Sequence, residues 1–193
     1  MHSDMQIIHF DKITSTQDHA LTLINNSAVN EDMLISASVQ TEGRGRLKQR
    51  KWVSDYGNFH GSFIINLDNL EISINSISIL NTVVMHSVFE FLNHVIGSNI
   101  VKIKLPNDIY YNNKKLAGVL IEVVYPFVII GIGINVYNAP IDTSTSIYEI
   151  IKDSKLTNND NILNNNYGLS NQYCNKLYET ILNNLKNLNS NMK

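Results

Sequence analysis

The chain is short of several things, and each shortage removes a class of explanation. Its 193 residues include a single cysteine, Cys174, so no internal disulfide can form and a reducing compartment suits it. No unbroken run of 18 apolar residues occurs, and the first six residues lack the basic stretch and apolar core of a secretory signal, which argues against membrane-spanning and secreted scaffolds. An excess of one charge is missing too. Fifteen Lys and Arg stand against 17 Asp and Glu, a net charge of -2, so no general pull toward nucleic acid or anionic membrane exists. Prolines number only three and alanine is scarce while Asn and Ile abound, a bias read as AT-rich codon usage rather than function. What is present is globular: 44% hydrophobic and 17% charged residues, in a length sufficient for one domain burying roughly 70% of its unfolded surface. The expectation is a single cytoplasmic domain over residues 1–193, with no membrane or nucleic-acid partner.

Apolar runs of strand length lie at 5–10 and 33–39. Between them Ser15-Thr16-Gln17-Asp18 precedes Ala20, Leu21, Leu23 and Ile24, helical spacing behind a hydroxyl cap. Residues 40–56 break the pattern as a long basic loop, and 59–67 resumes as a strand. From Ser76 apolar positions recur at three and four up to Gly97, the strongest helical signal in the chain. Strands are predicted at 101–105, 109–111, 116–124 and 127–136, with Asn112-Asn113 as a hairpin turn because Asn tolerates left-handed backbone. A second amphipathic helix closes the chain at 170–188. An Asn-dense polar run, 157–161 and 164–166, reads as a mobile loop. Strands joined by tight turns pair mostly antiparallel, so the expected class is α+β, a mixed, mostly antiparallel sheet with helices covering one face.

Three constellations carry chemistry. Gly43-Arg44-Gly45-Arg46-Leu47-Lys48-Gln49-Arg50-Lys51-Trp52 combines glycines that let backbone N–H groups approach an anion, Arg forks that grip phosphate or carboxylate, and a flat indole. The same residues would suit a solvated basic loop or an arginine–glycine nucleic-acid segment. Lys104-Leu105-Pro106-Asn107-Asp108 with Lys114-Lys115-Leu116-Ala117-Gly118 and Glu122 sets lysines and carboxylates at one sheet edge, where a lysine can offset charge on a transferring phosphoryl group; an ordinary surface hairpin would look alike. Gly131-Ile132-Gly133-Ile134-Asn135 places glycines within a strand, a mark of a bulge or of a ligand's close approach to the backbone, but lacks the third glycine and helix start of a dinucleotide fingerprint. No Walker phosphate loop is present. The six histidines show no ligand spacing with Cys174, so no metal site is expected.

In this order and spacing the segments resemble the biotin–protein ligases, whose pattern runs Gly-Arg-Gly-Arg with a following Trp, Lys-Trp-Pro-Asn-Asp, Lys-Leu-Ala-Gly and Gly-x-Gly-Ile-Asn. Ser15-Thr16-Gln17 is similar to the Ser-Thr-Asn that opens that family's catalytic domain, and Ser144-Thr145-Ser146-Ile147 to a late Thr-Ser-Leu segment. The resemblance covers about residues 6–151.

It implies a two-step reaction. Biotin's carboxylate attacks the α-phosphate of ATP to give biotinyl-5'-AMP, and a lysine of a biotin carboxyl carrier domain of a carboxylase then takes the acyl group. ATP and biotin are the implied substrates, with Mg2+ accompanying ATP. By resemblance Lys115, Arg46 and Asp108 are catalytic, Asp108 orienting or deprotonating the incoming lysine. Ser15, Thr16, Gln17, Gln40, Arg44, Gly45, Arg46, Ser62, Lys115 and Gly118 are the implied biotin site. Arg44, Arg46, Trp52, Asn107 and Asn135 are the implied nucleotide site, Trp52 and Asn135 flanking or hydrogen-bonding adenine. A homodimer is left open.

The sequence departs from the pattern in places. The basic loop lacks a second glycine before Trp52 and is one residue longer. Leu105 stands for a Trp expected beside the biotin slot, and Gln17 for Asn. The chain is expected to start at the catalytic domain without a helix-turn-helix module, with 152–193 replacing a small β-barrel. Two rivals stand beside this reading: a lipoate or octanoate transferase of the same fold, and a non-catalytic ligand-binding relative.

Overall fold

A computed structural model describes residues 5–47, 49–72, 77–154 and 168–190. In chain order these form β1 (Gln6–Ile13), α1 (Thr16–Asn25), β2 (Met33–Gln40), β3 (Phe59–Asn66), α2 (Ile77–Ile96), β4 (Lys102–Lys104), β5 (Asp108–Tyr111), β6 (Lys114–Val124), β7 (Phe127–Ile134), α3 (Ile147–Ser154) and α4 (Asn171–Ser190). Ser15 caps α1, its hydroxyl accepting the Asp18 N–H at 3.2 Å. Gly97, at φ +74°, ends α2 in the left-handed turn that glycine adopts without penalty. Asn112 and Asn113 turn the β5–β6 hairpin at φ +45° and +64°, as their tolerance of that region predicts. Ser76 and the Asn-dense run fall outside the described residues.

The strands form one sheet in the order β1-β2-β3-β7-β6-β5-β4. Among the described strands only β1 and β2 run parallel, joined through α1; the remaining pairs are antiparallel. The mixed, mostly antiparallel α+β class expected from the sequence is what the chain adopts.

Alternation along the strands gives the sheet two different faces. Leu34, Phe63, Ile65, Val119, Ile130 and Ile132 point to one side, where they bury against Val84, Val88 and Phe91 of α2 and Leu177, Ile181 and Leu185 of α4. The segment Ile79–Ile96 of α2 is long and apolar enough to cross a membrane, yet it lies in this core with Leu80, Val84, Val88 and Leu92 all buried. On the opposite side Met33, Ile35, Ile64 and Ile129 pack with Ala20 of α1 in a separate small cluster. The expectation of helices on one face therefore holds for α2 and α4 and needs correcting for α1. Amphipathic spacing reveals that a helix buries one side, not which face of the sheet receives it. Beyond that second cluster the α1 face turns polar, and most of the candidate site residues gather there.

Candidate active site

The site is built on a floor without side chains. On the α1 face, β6 and β7 present Gly118, Gly131 and Gly133 beside Ser62 of β3. A Cβ on Gly133 would lie 2.5 Å from the Trp52 indole, and one on Gly131 2.5 Å from Gln17 Oε1. The bare strand segment is thus what lets the indole and the amide approach the sheet closely; the groups that do so are the chain's own side chains, where the glycines suggested a bulge or a ligand. Above this floor is a cavity of about 60 Å³, lined by Thr16, Gln17, Gln40, Arg44, Gly45, Arg46, Trp52, Ser62, Asn107, Lys115 and Gly118. Ligand pockets run to about 300 Å³ and more, so this cavity is narrow.

One half of this cavity is neutral and buried. Thr16 donates its N–H to Gln40 Oε1 at 2.8 Å, and its hydroxyl sits 3.0 Å from the same oxygen and 2.9 Å from Ser62 Oγ. Ser62 donates to Gln17 Oε1 at 2.9 Å, and Gln17 Nε2 donates to Glu122 Oε2 at 2.8 Å. Thr16, Gln17 and Ser62 are all buried. Ser15, also buried, spends its hydroxyl on the helix cap and does not line the cavity.

The other half is charged and paired. The Arg44 guanidinium bridges Asp18 and Glu122, one nitrogen to each carboxylate. Lys115 Nζ lies 2.6 Å from Asp108 Oδ1, both side chains mostly buried, and 5.4 Å above the Trp52 ring centre, within cation–π range. Asp108 is therefore the counter-ion of Lys115. Arg46 is exposed at the cavity mouth and has no ion pair among the described residues. Asn107 lines this first cavity, and its amide is taken: Nδ2 donates to the Val119 carbonyl at 3.1 Å.

The basic loop is a small hairpin. Arg44 bridges Lys51, the Gly45 N–H donates to the Arg50 carbonyl and the Trp52 N–H to the Gly43 carbonyl, both at 2.9 Å. A Cβ on Gly45 would meet the Arg50 carbonyl at 2.7 Å, so the glycines serve here to let the hairpin close. Its end delivers Trp52 to the glycine floor.

Trp52 and Lys115 also line a second pocket, of about 70 Å³, with Asn135, Pro140, Ile141 and Ser144. The two residues are the shared wall between the cavities. Asn135 is buried, and its Nδ2 donates to the carbonyls of Thr145 at 3.0 Å and Lys115 at 3.3 Å. Its amide N–H groups are thus spent on holding the strands, and Oδ1 has no partner among the described residues.

Several participants were not assigned from the sequence. Asp18 and Glu122 hold Arg44, and His60 accepts the Trp52 Nε1–H at Nδ1, 3.0 Å away. Burial lowers the His60 pKa to about 4, with the Asp55 carbonyl and carboxylate opposing. An acidic residue at the helix start and a motif-ending Glu were visible in the sequence; nothing local marked His60. Leu105 is corrected: it is 74% exposed and absent from the cavity wall, so its replacement of Trp alters the surface, not the slot. Cys174 is a buried thiol whose pKa desolvation raises to about 12, inert and on the other side of the sheet.

Residues 9–135 match the model of the biotin/lipoate A/B protein ligase family. The chain belongs to this family. It is 36% identical over 149 residues to the bifunctional ligase/repressor BirA of Bacillus subtilis, covering 75% of this chain and 44% of that protein. To biotin–protein ligase 2 of Arabidopsis thaliana it is 29% identical over 144 residues, 70% of this chain and 42% of that one. It thus spans less than half the length of these two curated family relatives. Among solved structures, biotin protein ligase from Leishmania major in complex with biotinyl-5-AMP superposes with a TM-score of 0.77 at 25% identity, covering 94% of this chain and 75% of that chain. The Aquifex aeolicus biotin protein ligase in complex with biotin and ATP gives 0.69 at 30% identity, over 94% and 70%.

Proposed function

We propose that the chain carries out biotin–protein ligation: it activates biotin with ATP and passes the acyl group to a lysine of a biotin carboxyl carrier domain. The observation that carries this reading is the sharing of Lys115 and Trp52 by two adjoining cavities, one polar and neutral at its far end, the other open beside Asn135. Relatives whose structures hold biotin with ATP, or biotinyl-5-AMP, share the fold.

The buried polar row suits a ureido ring. The Ser62 and Thr16 hydroxyls supply donors for its carbonyl, and Gln17 and Gln40 Oε1 supply acceptors for its N–H groups, in a slot walled by glycine. The chain beyond the ring then directs the biotin carboxylate toward Arg44, Arg46 and Lys115. Carboxylate and triphosphate repel each other, and three cations at their meeting point offset that repulsion before attack. The carboxylate oxygen bonds to the α-phosphorus, the bridging oxygen leaves with pyrophosphate, and Lys115 neutralises charge on the transferring phosphoryl group. Trp52 gives the adenine a flat face, and the side of Asn135, rather than its committed N–H groups, completes that pocket.

The ion pairs of Arg44 and Lys115 order the second step. When phosphate oxygens take Lys115, Asp108 loses its counter-ion and becomes free to accept a proton from the carrier lysine. The amine, once neutral, attacks the acyl carbon and AMP leaves. Mg2+ would accompany ATP as part of that substrate and screen its phosphate charge; the carboxylates beside this part of the site, Asp18, Glu122 and Asp108, are paired with Arg44 and Lys115. The decisive experiment is ATP–pyrophosphate exchange with biotin against lipoate and octanoate. Biotin-dependent exchange is expected. Exchange with lipoate or octanoate alone would move the chain to the other branch of its family, and biotin binding without exchange would make it a binding module.

A further inference from the structure

We propose that His60 is a positioning residue which sets the indole of Trp52 as the wall between the two pockets. The names of the pockets' ligands rest on the ligase reading; the geometry does not.

His60 lies on β3 directly opposite Gly133 of β7, 1% exposed, on the face that carries Ser62. Trp52 reaches it across the glycine floor. The indole Nε1 has a proton and no lone pair to share, so it can only donate. His60 Nδ1, 3.0 Å away, must therefore be bare. The ring proton then sits on Nε2, which faces the Asp55 carbonyl at 3.3 Å. Asp55 follows Trp52 by three residues, so one buried ring fastens the start and end of the same short segment to β3. The rings meet at 67°, an edge-on arrangement that puts the N–H on the imidazole lone pair rather than its face.

A glycine floor explains why such a fastening is needed. Flat contact with a bare strand favours burial of the indole but offers no side chain to stop it sliding or turning. Lys115, its Nζ 5.4 Å from the ring centre, attracts without fixing a direction. The Nε1–H bond is directional, and among the described residues it is the side-chain hydrogen bond that sets where the indole edge falls between the cavity with Ser62 and the pocket with Asn135. His60 itself lines neither of these two cavities, so it acts through Trp52.

Trp52 is the only tryptophan in the chain, which makes its fluorescence a direct readout. His60→Leu removes the acceptor, His60→Gln places its amide near the Nε2 position, and His60→Asn keeps an oxygen where Nδ1 stood. For His60→Leu and His60→Gln, acrylamide quenching of Trp52 in the unliganded full chain is expected to rise above wild type. The KM for ATP in pyrophosphate exchange should rise about five- to tenfold, as expected for one lost hydrogen bond, with the KM for biotin within about twofold. His60→Asn should restore both readouts. Unchanged quenching and ATP KM in His60→Leu would overturn the proposal, as would equal rises in both KM values that His60→Asn does not rescue. If wild type shows no exchange, the ligase reading fails while the quenching series still decides the role of His60.

Discussion

The two halves of the site are held by different physics. The Thr16–Gln40–Ser62–Gln17 half consists of buried neutral groups already hydrogen-bonded to one another, on strands and the first turn of α1. The Arg44–Lys115 half consists of charges paired inward with Asp18, Glu122 and Asp108, on a hairpin and a strand end. A neutral hydrogen bond is exchanged for another at little cost, so the first half is a rigid receptor. A cation released from a carboxylate gains a new anion, so the second half responds to the ligand's charge. On the proposed function, specificity would reside in the stiff half and chemistry in the half that repartners.

Substitutions can break that contrast, and Lys115→Ala should do so most strongly. It is expected to cut biotinyl-adenylate formation roughly 10²- to 10³-fold, the scale of a lost transition-state charge contact, with circular dichroism unchanged; retained adenylation would place the joint elsewhere. Acid comes next. His60 is neutral when folded, with a pKa lowered from 6.5 to about 4. Between those values the unfolded chain binds more protons, so stability falls as pH drops through that window. Linkage puts the loss on the order of 3 kcal/mol. Asp55 is the charged group whose field opposes the shift. Urea melts at pH 7 and pH 4.5 measure the loss, and His60→Leu should flatten it.

Ser62→Ala tests the stiff half. It leaves Gln17 Oε1 without its donor and should cost about 1–3 kcal/mol of stability while raising the KM for biotin more than that for ATP. A matching rise in both would deny the division of labour. The smallest effect is expected from Glu122→Gln. It relieves Arg44 of one partner in a pair that is a third exposed, so stability should change by less than about 1 kcal/mol. The KM for biotin should fall slightly, because Arg44 has less to leave; a rise would mean that Glu122 aims the guanidinium rather than restrains it.

Much of this was legible in the sequence, for identifiable reasons. The seven strands, α1, α2 and α4 follow from local spacing, and caps such as Ser15, Gly97 and the Asn112-Asn113 turn mark where elements end. The segment Ile147–Ser154 was missed because two turns hold too few apolar positions, Ile147, Ile150 and Ile151, to stand out. The motifs led to Arg44, Trp52 and Lys115 because chemistry of that kind needs particular side chains close together. Placement across the sheet was not legible. The side taken by α1, the exposure of Leu105, and the commitment of the Asn107 and Asn135 amides to backbone carbonyls all depend on strand register between segments far apart in the chain. His60 was invisible for the same reason, since its role exists only where β3 meets the end of the basic loop.

The central claim, that one lysine joins two cavities into a single reaction chamber, is tested most directly by a single turnover with biotin and ATP, read by mass spectrometry for the acyl-adenylate. The account predicts biotinyl-5'-AMP at up to one equivalent of protein in wild type and almost none in Lys115→Ala. Equal yields from the two proteins, or no adenylate from a wild-type chain that binds both substrates, would contradict it.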